Sequence, residues 1–179
     1  RVEPNEVYEG EDATVTATVT GRLPDQVEMV ELDVRKSKDG VFVVVHDSWL
    51  DRTTDCSGEV AARTLAELRT CRLVVETTGE ATREAVPTLA EMFAVAKGRI
   101  LVNVDNKLDE DVLPEIAEEA RRAGVADHIV VKANLWNANR IAAMKALMAR
   151  VGADIRFMPI VADDAVRDTV FLETATAAF

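Results

Sequence analysis

The sequence predicts an α/β fold with a parallel sheet, and three observations carry that expectation. From residue 27 onward, short β-branched runs alternate with helix-like stretches of ten to fifteen residues, the pattern of βαβ units. The runs are apolar on both faces, which suits a sheet covered by helices or closed into a barrel. With 179 residues and 48% hydrophobic content, the chain can bury a sizeable core as one domain or one large piece of a bigger one.

The elements follow in order. "VEMVELDV" (27–34) and "GVFVVVHD" (40–47) read as strands, joined through "SKDG" with Asp39-Gly40 as a hairpin signal. A polar, turn-rich excursion runs from Asp51 to about Pro87 and contains one short helix, "TLAELRTC" (64–71). The next helix spans 86–98, with Pro87 and Thr88 at its start, Glu91 three residues past Thr88 as in a capping box, and Gly98 at its end. "RILVNVDNK" (99–107) is a strand, and "DEDVLPEIAEEARRAGV" is a helix closing on Gly124. "HIVVKAN" (128–134) is a strand, "NANRIAAMKALMARVG" a helix, and "IRFMPIVAD" (155–163) a strand. "DDAVRDTVFLETATAAF" opens a further unit.

Charge and length exclude some functions. The 32 acidic residues against 21 basic ones give a net charge of −11, which repels phosphate backbones and anionic lipid surfaces and argues against a nucleic-acid partner. A small anionic substrate needs a local cation to reverse that field, either a metal ion or a lysine. No apolar run approaches the ~20 residues of a bilayer span. The first residue is Arg1 rather than Met, which leaves room for a processed start and a removed export signal.

Strand side chains alternate faces, so polar residues two apart look the same way. Glu31 shares a face with Asp33; Asn103 shares one with Asp105 and Lys107; Lys132 shares one with Asn134. Interior carboxylates cost several kcal/mol unless a cation compensates them. Glu31, Asp33 and Asp105, each on or just after an apolar strand, form a reasonable shell for a hard divalent ion, Mg2+ or Ca2+. The competing reading has one or two of them capping loops at the sheet rim. Lys132 is either a second phosphate cation or a structural partner of Asp105. His46 stands at the C-terminal end of the 41–45 strand, where chemistry gathers in parallel sheets, and is the candidate acid or base; His128 precedes its strand and reads as a rim residue. Trp136, after the 128–133 strand, falls at the same active end and is a candidate substrate contact, whereas Trp49 and Arg52-Thr53-Thr54 read as loop packing.

Glu-Leu-Asp (31–33), Lys-Asp-Gly (38–40), His-Asp (46–47), Leu-x-Arg-Thr-Thr (50–54) and Pro-Thr-Leu (87–89), in that order, closely resemble the glycerophosphodiester phosphodiesterase family over about residues 26–107. The resemblance implies a TIM barrel with a small insertion after its second strand. It also implies metal-dependent hydrolysis of glycerophosphodiesters to an alcohol and glycerol 3-phosphate. It makes Glu31 and Asp33 metal ligands, His46 one of two catalytic histidines accompanied by Asp47, and Lys107 a phosphate-holding lysine. Asp105 stands where the family usually has a glutamate ligand.

Residues 1–26 depart from the pattern. They hold no histidine where the family has His-Arg-Gly, and "ATVTATVTG" alternates like a strand where the family has a helix. The expectation is therefore an atypical segment (1–26) followed by a partial (β/α)-barrel domain (27–179) with an insertion at about 51–87, since a closed eight-stranded barrel typically needs ~250 residues. An open sheet edge would favour self-association. The alternative function is a diverged or truncated, non-catalytic member that binds metal and phosphate esters. Cys56 and Cys71 are either reduced core thiols or a local disulfide; the latter favours a periplasmic or secreted protein over a cytoplasmic one.

Overall fold

The computed structural model describes residues 29–161 and 168–179. The strand-like alternation of residues 13–21 and the ends of the expected strands at 27–28 and 162–163 lie outside them.

Five strands form the main sheet: β1 (Met29–Lys36), β2 (Phe42–Val44), β5 (Leu101–Asn106), β6 (Ile129–Leu135) and β7 (Arg156–Val161), in the order β2-β1-β5-β6-β7. β1, β5, β6 and β7 pair in parallel, while β2 folds back antiparallel on β1. The Asp39-Gly40 signal makes that hairpin: Gly40 adopts a φ of 84°, open to glycine at no steric cost, and Ser37 N–H donates to Val41 C=O at 2.9 Å. β2 is shorter than the expected 40–47 strand because past Val45 the chain leaves β1 and enters the insertion.

The crossover helices are α2 (Leu89–Ala96), α3 (Leu113–Ala123) and α4 (Ala138–Val151). Thr88 and Glu91 form the expected capping box on α2, and Gly124, at φ 70°, closes α3 in the left-handed conformation. A further helix, α5 (Thr169–Ala178), follows β7 and is capped by Asp168. Leu32 and Val34, Val102 and Val104, and Val131 and Leu135 are buried in one cluster with Leu89 and Phe93 of α2, Ile116 of α3 and Met144 of α4. The expectation of strands apolar on both faces is corrected here. β1, β5 and β6 put alternate residues into this core, and the intervening positions carry Glu31, Asp33, Asn103, Asp105 and Lys132. Charge is tolerated on that second face because acids and lysines neutralise each other there.

The excursion after β2 is more ordered than its polarity suggested. It holds α1 (Leu65–Leu68), capped by a Thr64–Glu67 box, and an antiparallel ribbon of β3 (Arg72–Val74) and β4 (Ala81–Ala85). Val43, Val45, Leu50, Val60, Leu68, Leu73 and Val86 form a second core around a Cys56–Cys71 disulfide with Cα atoms 5.5 Å apart. The pairing decides between the two readings of the cysteines. Among the described residues no helix is long and apolar enough to cross a membrane.

Candidate active site

β1 and β5 pair in a register that sets Glu31 opposite Asn103 and Asp33 opposite Asp105. Lys132 lies on β6 one position past the pairing of Val104 with Val131, so Asp33, Asp105 and Lys132 form a row across three neighbouring strands. The side chains interlock. Lys107 Nζ donates to Asp33 Oδ1 at 3.1 Å and to Asp105 Oδ2 at 3.0 Å. Lys132 Nζ donates to the same Asp105 Oδ2 at 3.0 Å and reaches past β5 to Glu31 Oε1. Lys132 thus makes the ion pair with Asp105 that one of its two readings expects.

The protonation states follow from these contacts. Burial pushes the Asp105 carboxyl up, but hydrogen bonds from Lys107 and Lys132 outweigh it and hold the group below the usual carboxylate range. Burial pushes both lysines down, and their carboxylate partners more than offset it, so both ammonium groups stay charged with raised pKa values.

A second group of side chains comes from the turn after β2. Because β2 is antiparallel, it carries the chain back toward Asp33 instead of continuing the parallel sheet: Val45 N–H donates to Asp33 C=O at 3.0 Å, and His46 is the next residue. His46 Nδ1 lies 2.6 Å from Asp47 Oδ1. Asp47 is gripped by Arg52, whose Nε and Nη2 donate to its two oxygens at 2.6 and 3.1 Å; Arg52 Nη1 also donates to Glu76 at 2.6 Å. The Arg52 hydrogen bonds lead in pulling the Asp47 carboxyl down to about 2, with His46 contributing and burial opposing. An ionised carboxylate only accepts, so the proton of neutral His46 sits on Nδ1 and leaves Nε2 as the basic nitrogen. Arg35 links the two groups. Its Nε donates to His46 C=O at 2.8 Å, and burial pushes its guanidinium below the usual range, which the charges of Asp47 and Asp33 only partly offset. Arg35 continues the 31–33–35 face, so period-two alternation carried the signal that the sequence reading passed over. Arg52 thereby ties Asp47 to Glu76 across the loop.

The other candidates fall as follows. Trp136 is 57% exposed just past β6 and stacks on Arg140, whose guanidinium is 4.6 Å from the ring centroid. Trp49 is exposed within the insertion, where it bridges to Glu59. His128 Nδ1 lies 2.8 Å from Asp127 at the opposite end of β6, so the sheet does not bring it to His46.

Among the described residues no three His, Cys, Asp or Glu side chains grip one point as they stand, because the lysines lie between the carboxylates. The donor set nevertheless fits a hard divalent ion in kind and number: three carboxylates on one face of adjacent strands. Beside them, Asn103 Oδ1 is a buried acceptor with no hydrogen-bond partner, a carbonyl suited to the same ion or to its bound water.

Residues 24–161 match the model of the Glycerophosphoryl diester phosphodiesterase family. The chain belongs to this family. A glycerophosphodiester phosphodiesterase of Caldanaerobacter subterraneus is 36% identical over 95 residues, covering 52% of this chain and 39% of that protein. One from Bacillus altitudinis is 33% identical over 97 residues, covering 51% and 38%. The matches thus span about two fifths of the length of these curated relatives. A glycerophosphoryl diester phosphodiesterase structure from Parabacteroides distasonis superposes with a TM-score of 0.66 at 23% identity, covering 83% of this chain and 48% of that one. One from Agrobacterium tumefaciens gives 0.62 at 20%, covering 86% and 72%. These likenesses establish the fold, a parallel β/α sheet of the kind that family closes into a TIM barrel.

Proposed function

We propose that this protein hydrolyses glycerophosphodiesters to an alcohol and glycerol 3-phosphate with the help of a divalent ion. The observation that supports this best is the meeting of two groups at one place. The Glu31–Lys132–Asp105–Lys107–Asp33 row meets the His46–Asp47–Arg52 group where Val45, the residue before His46, donates to Asp33 C=O, and Arg35, on the strand of Asp33, donates to His46 C=O.

Each residue has a task in this reading. Mg2+ or Ca2+, held by Glu31, Asp33 and Asp105, would polarise the phosphate oxygens. Lys107 would hold a phosphate oxygen. The P–O bond to the alcohol breaks as the attacking oxygen bonds phosphorus, and His46 Nε2 serves one of the two proton transfers, taking a proton from the attacking oxygen or giving one to the leaving oxygen. Asp47, held ionised by Arg52, fixes the Nδ1–H tautomer. Lys132 is a second cation for the phosphate, and Trp136 offers an apolar surface to the alcohol at the mouth.

The position of His128 favours a second reading, in which metal and phosphate esters bind without turnover: the chain's other histidine lies at the wrong end of β6 to serve the second proton transfer. Assaying release of glycerol 3-phosphate from glycerophosphodiesters by the intact protein, with and without chelator, separates the two. Hydrolysis that stops with chelator and falls at least about a hundredfold in His46→Ala supports catalysis. Unchanged hydrolysis in His46→Ala removes the assignment of His46. Binding of glycerol 3-phosphate without turnover selects the second reading. The disulfide further supports a periplasmic or secreted location, and two free thiols in protein denatured directly from cells would contradict it.

A further inference from the structure

We propose that Lys132 is a resident counter-ion of the carboxylate row, which a divalent ion must displace in order to bind. The inference rests on the reading that Glu31, Asp33 and Asp105 form the metal shell.

The argument starts from position. Lys132 lies mid-strand on β6, in the row that contains Asp33 and Asp105, and its neighbours Val131 and Ala133 are buried in the helix-covered core. Its backbone is therefore fixed, and the ammonium can address only what lies on that face. It donates to Asp105 Oδ2 and, two strands away, to Glu31 Oε1, so a single side chain engages two of the three carboxylates. Its own side chain is only 21% exposed, which limits how far water can replace those contacts. Lys107 engages the third carboxylate and shares Asp105. The row, three carboxylates and two ammonium groups, keeps one net negative charge.

A divalent ion added to that row leaves it net positive unless an ammonium withdraws, and Lys132 covers the oxygens of both Glu31 and Asp105 that the ion needs. Without Lys132 the row carries two net negative charges, which a divalent ion neutralises. Deleting the ammonium therefore tightens metal binding. A lysine with a purely structural role would do the opposite: its loss would let the carboxylates spread apart and would weaken or leave unchanged their grip on an ion.

The test is isothermal titration of the metal-free intact protein with Mg2+ and with Ca2+, comparing wild type, Lys132→Met, Lys132→Arg and a control, Lys36→Met. Lys36 pairs with Glu115 instead of with the row. Lys132→Met should bind at least about tenfold more tightly than wild type. Lys132→Arg, which restores the charge, should stay within about threefold of wild type, and Lys36→Met should match it. Should Lys132→Met fail to fold, Lys132→Gln removes the charge while keeping a polar end, and carries the same expectation. Wild type that binds metal while the charge-deleted variant gains nothing overturns this proposal and leaves the metal reading standing. No binding by any of the proteins overturns both.

Discussion

The carboxylate–lysine row and the His46–Asp47–Arg52 group are both ion-paired clusters beside Asp33, yet they are positioned by different means. The row is written into three hydrogen-bonded strands whose opposite faces share a large core with α2, α3 and α4. Its geometry is as rigid as strand register. His46, Asp47 and Arg52 sit on turns after β2, backed by a small second core and one disulfide. Register slips flip every side chain and are strongly opposed where one face is buried, whereas a loop is only as fixed as the contacts beneath it. The site therefore has a stiff half, the carboxylate–lysine row, and a softer half, the His46–Asp47–Arg52 group, and each can be perturbed separately.

The largest effect should come from the core behind the stiff half. Phe93 is fully buried in α2 among the residues packed on the sheet. Phe93→Ala should cost about 3–5 kcal/mol in a denaturant melt, with amide protection lost in both halves because the insertion rests on the sheet. A loss that spares residues 51–87 would show that the two cores fold independently.

Breaking only the softer half comes next. The Cys56–Cys71 bridge closes a separation of 15 residues, for which loop closure alone is worth about 3 kcal/mol. A Cys56→Ala/Cys71→Ala double variant should lose about that much or somewhat less. Hydrogen exchange should quicken across β3, β4 and α1, while β1, β5 and β6 keep their protection. Equal loss in all strands would refute the division into two halves.

The same division explains what could be read from the sequence. The helices α2, α3 and α4 and the strands β1, β5 and β6 were legible because a large shared core imposes strict periodicity, and the faces of Glu31, Asp33 and Asp105 followed from alternation. Long-range pairing was not legible. That Lys132 engages Glu31, 101 positions away, is set by strand order, which no local pattern encodes. The β3–β4 ribbon was missed because "RLV" and "ATREA" lack alternation, and a disulfide with a second core holds what propensity does not. The C-terminal end of a strand is the expected setting of His46, but the chain reaches Asp33 by a different route, an antiparallel hairpin, because the Asp39-Gly40 turn reverses its direction.

Electrostatics within the softer half give a subtler contrast. Arg52 holds the Asp47 carboxyl at about 2, below its ordinary 3.8. A carboxyl depressed on folding contributes stability that is present above its unfolded value and lost as pH falls through the folded one. That contribution should therefore disappear between about pH 4 and pH 2. In Arg52→Ala the Asp47 midpoint, followed by NMR titration, should rise toward the ordinary value, and the acid loss of stability over this window should flatten. A midpoint unmoved by the substitution would mean that another group, His46 foremost, holds the carboxylate.

The smallest expected difference compares one motif in both settings. Thr88 caps α2 and Thr64 caps α1 with the same box: each hydroxyl accepts from the amide of a glutamate three residues on, Glu91 or Glu67, whose carboxylate accepts in return from the cap's own amide. Thr88 is buried at 7% exposure and bridges to Val43 of β2, so its loss frees an amide at the junction of sheet and helix. Thr64 lies at the surface of a four-residue helix. Thr88→Ala should cost about 1–2 kcal/mol, and Thr64→Ala about 0.5 kcal/mol or less, in global unfolding. Local exchange of the Glu67 amide should respond to Thr64→Ala more than global stability does, because a short turn on the softer half can open without unfolding the rest. Equal global costs for the two caps would instead mean that the insertion and the sheet unfold as a single unit.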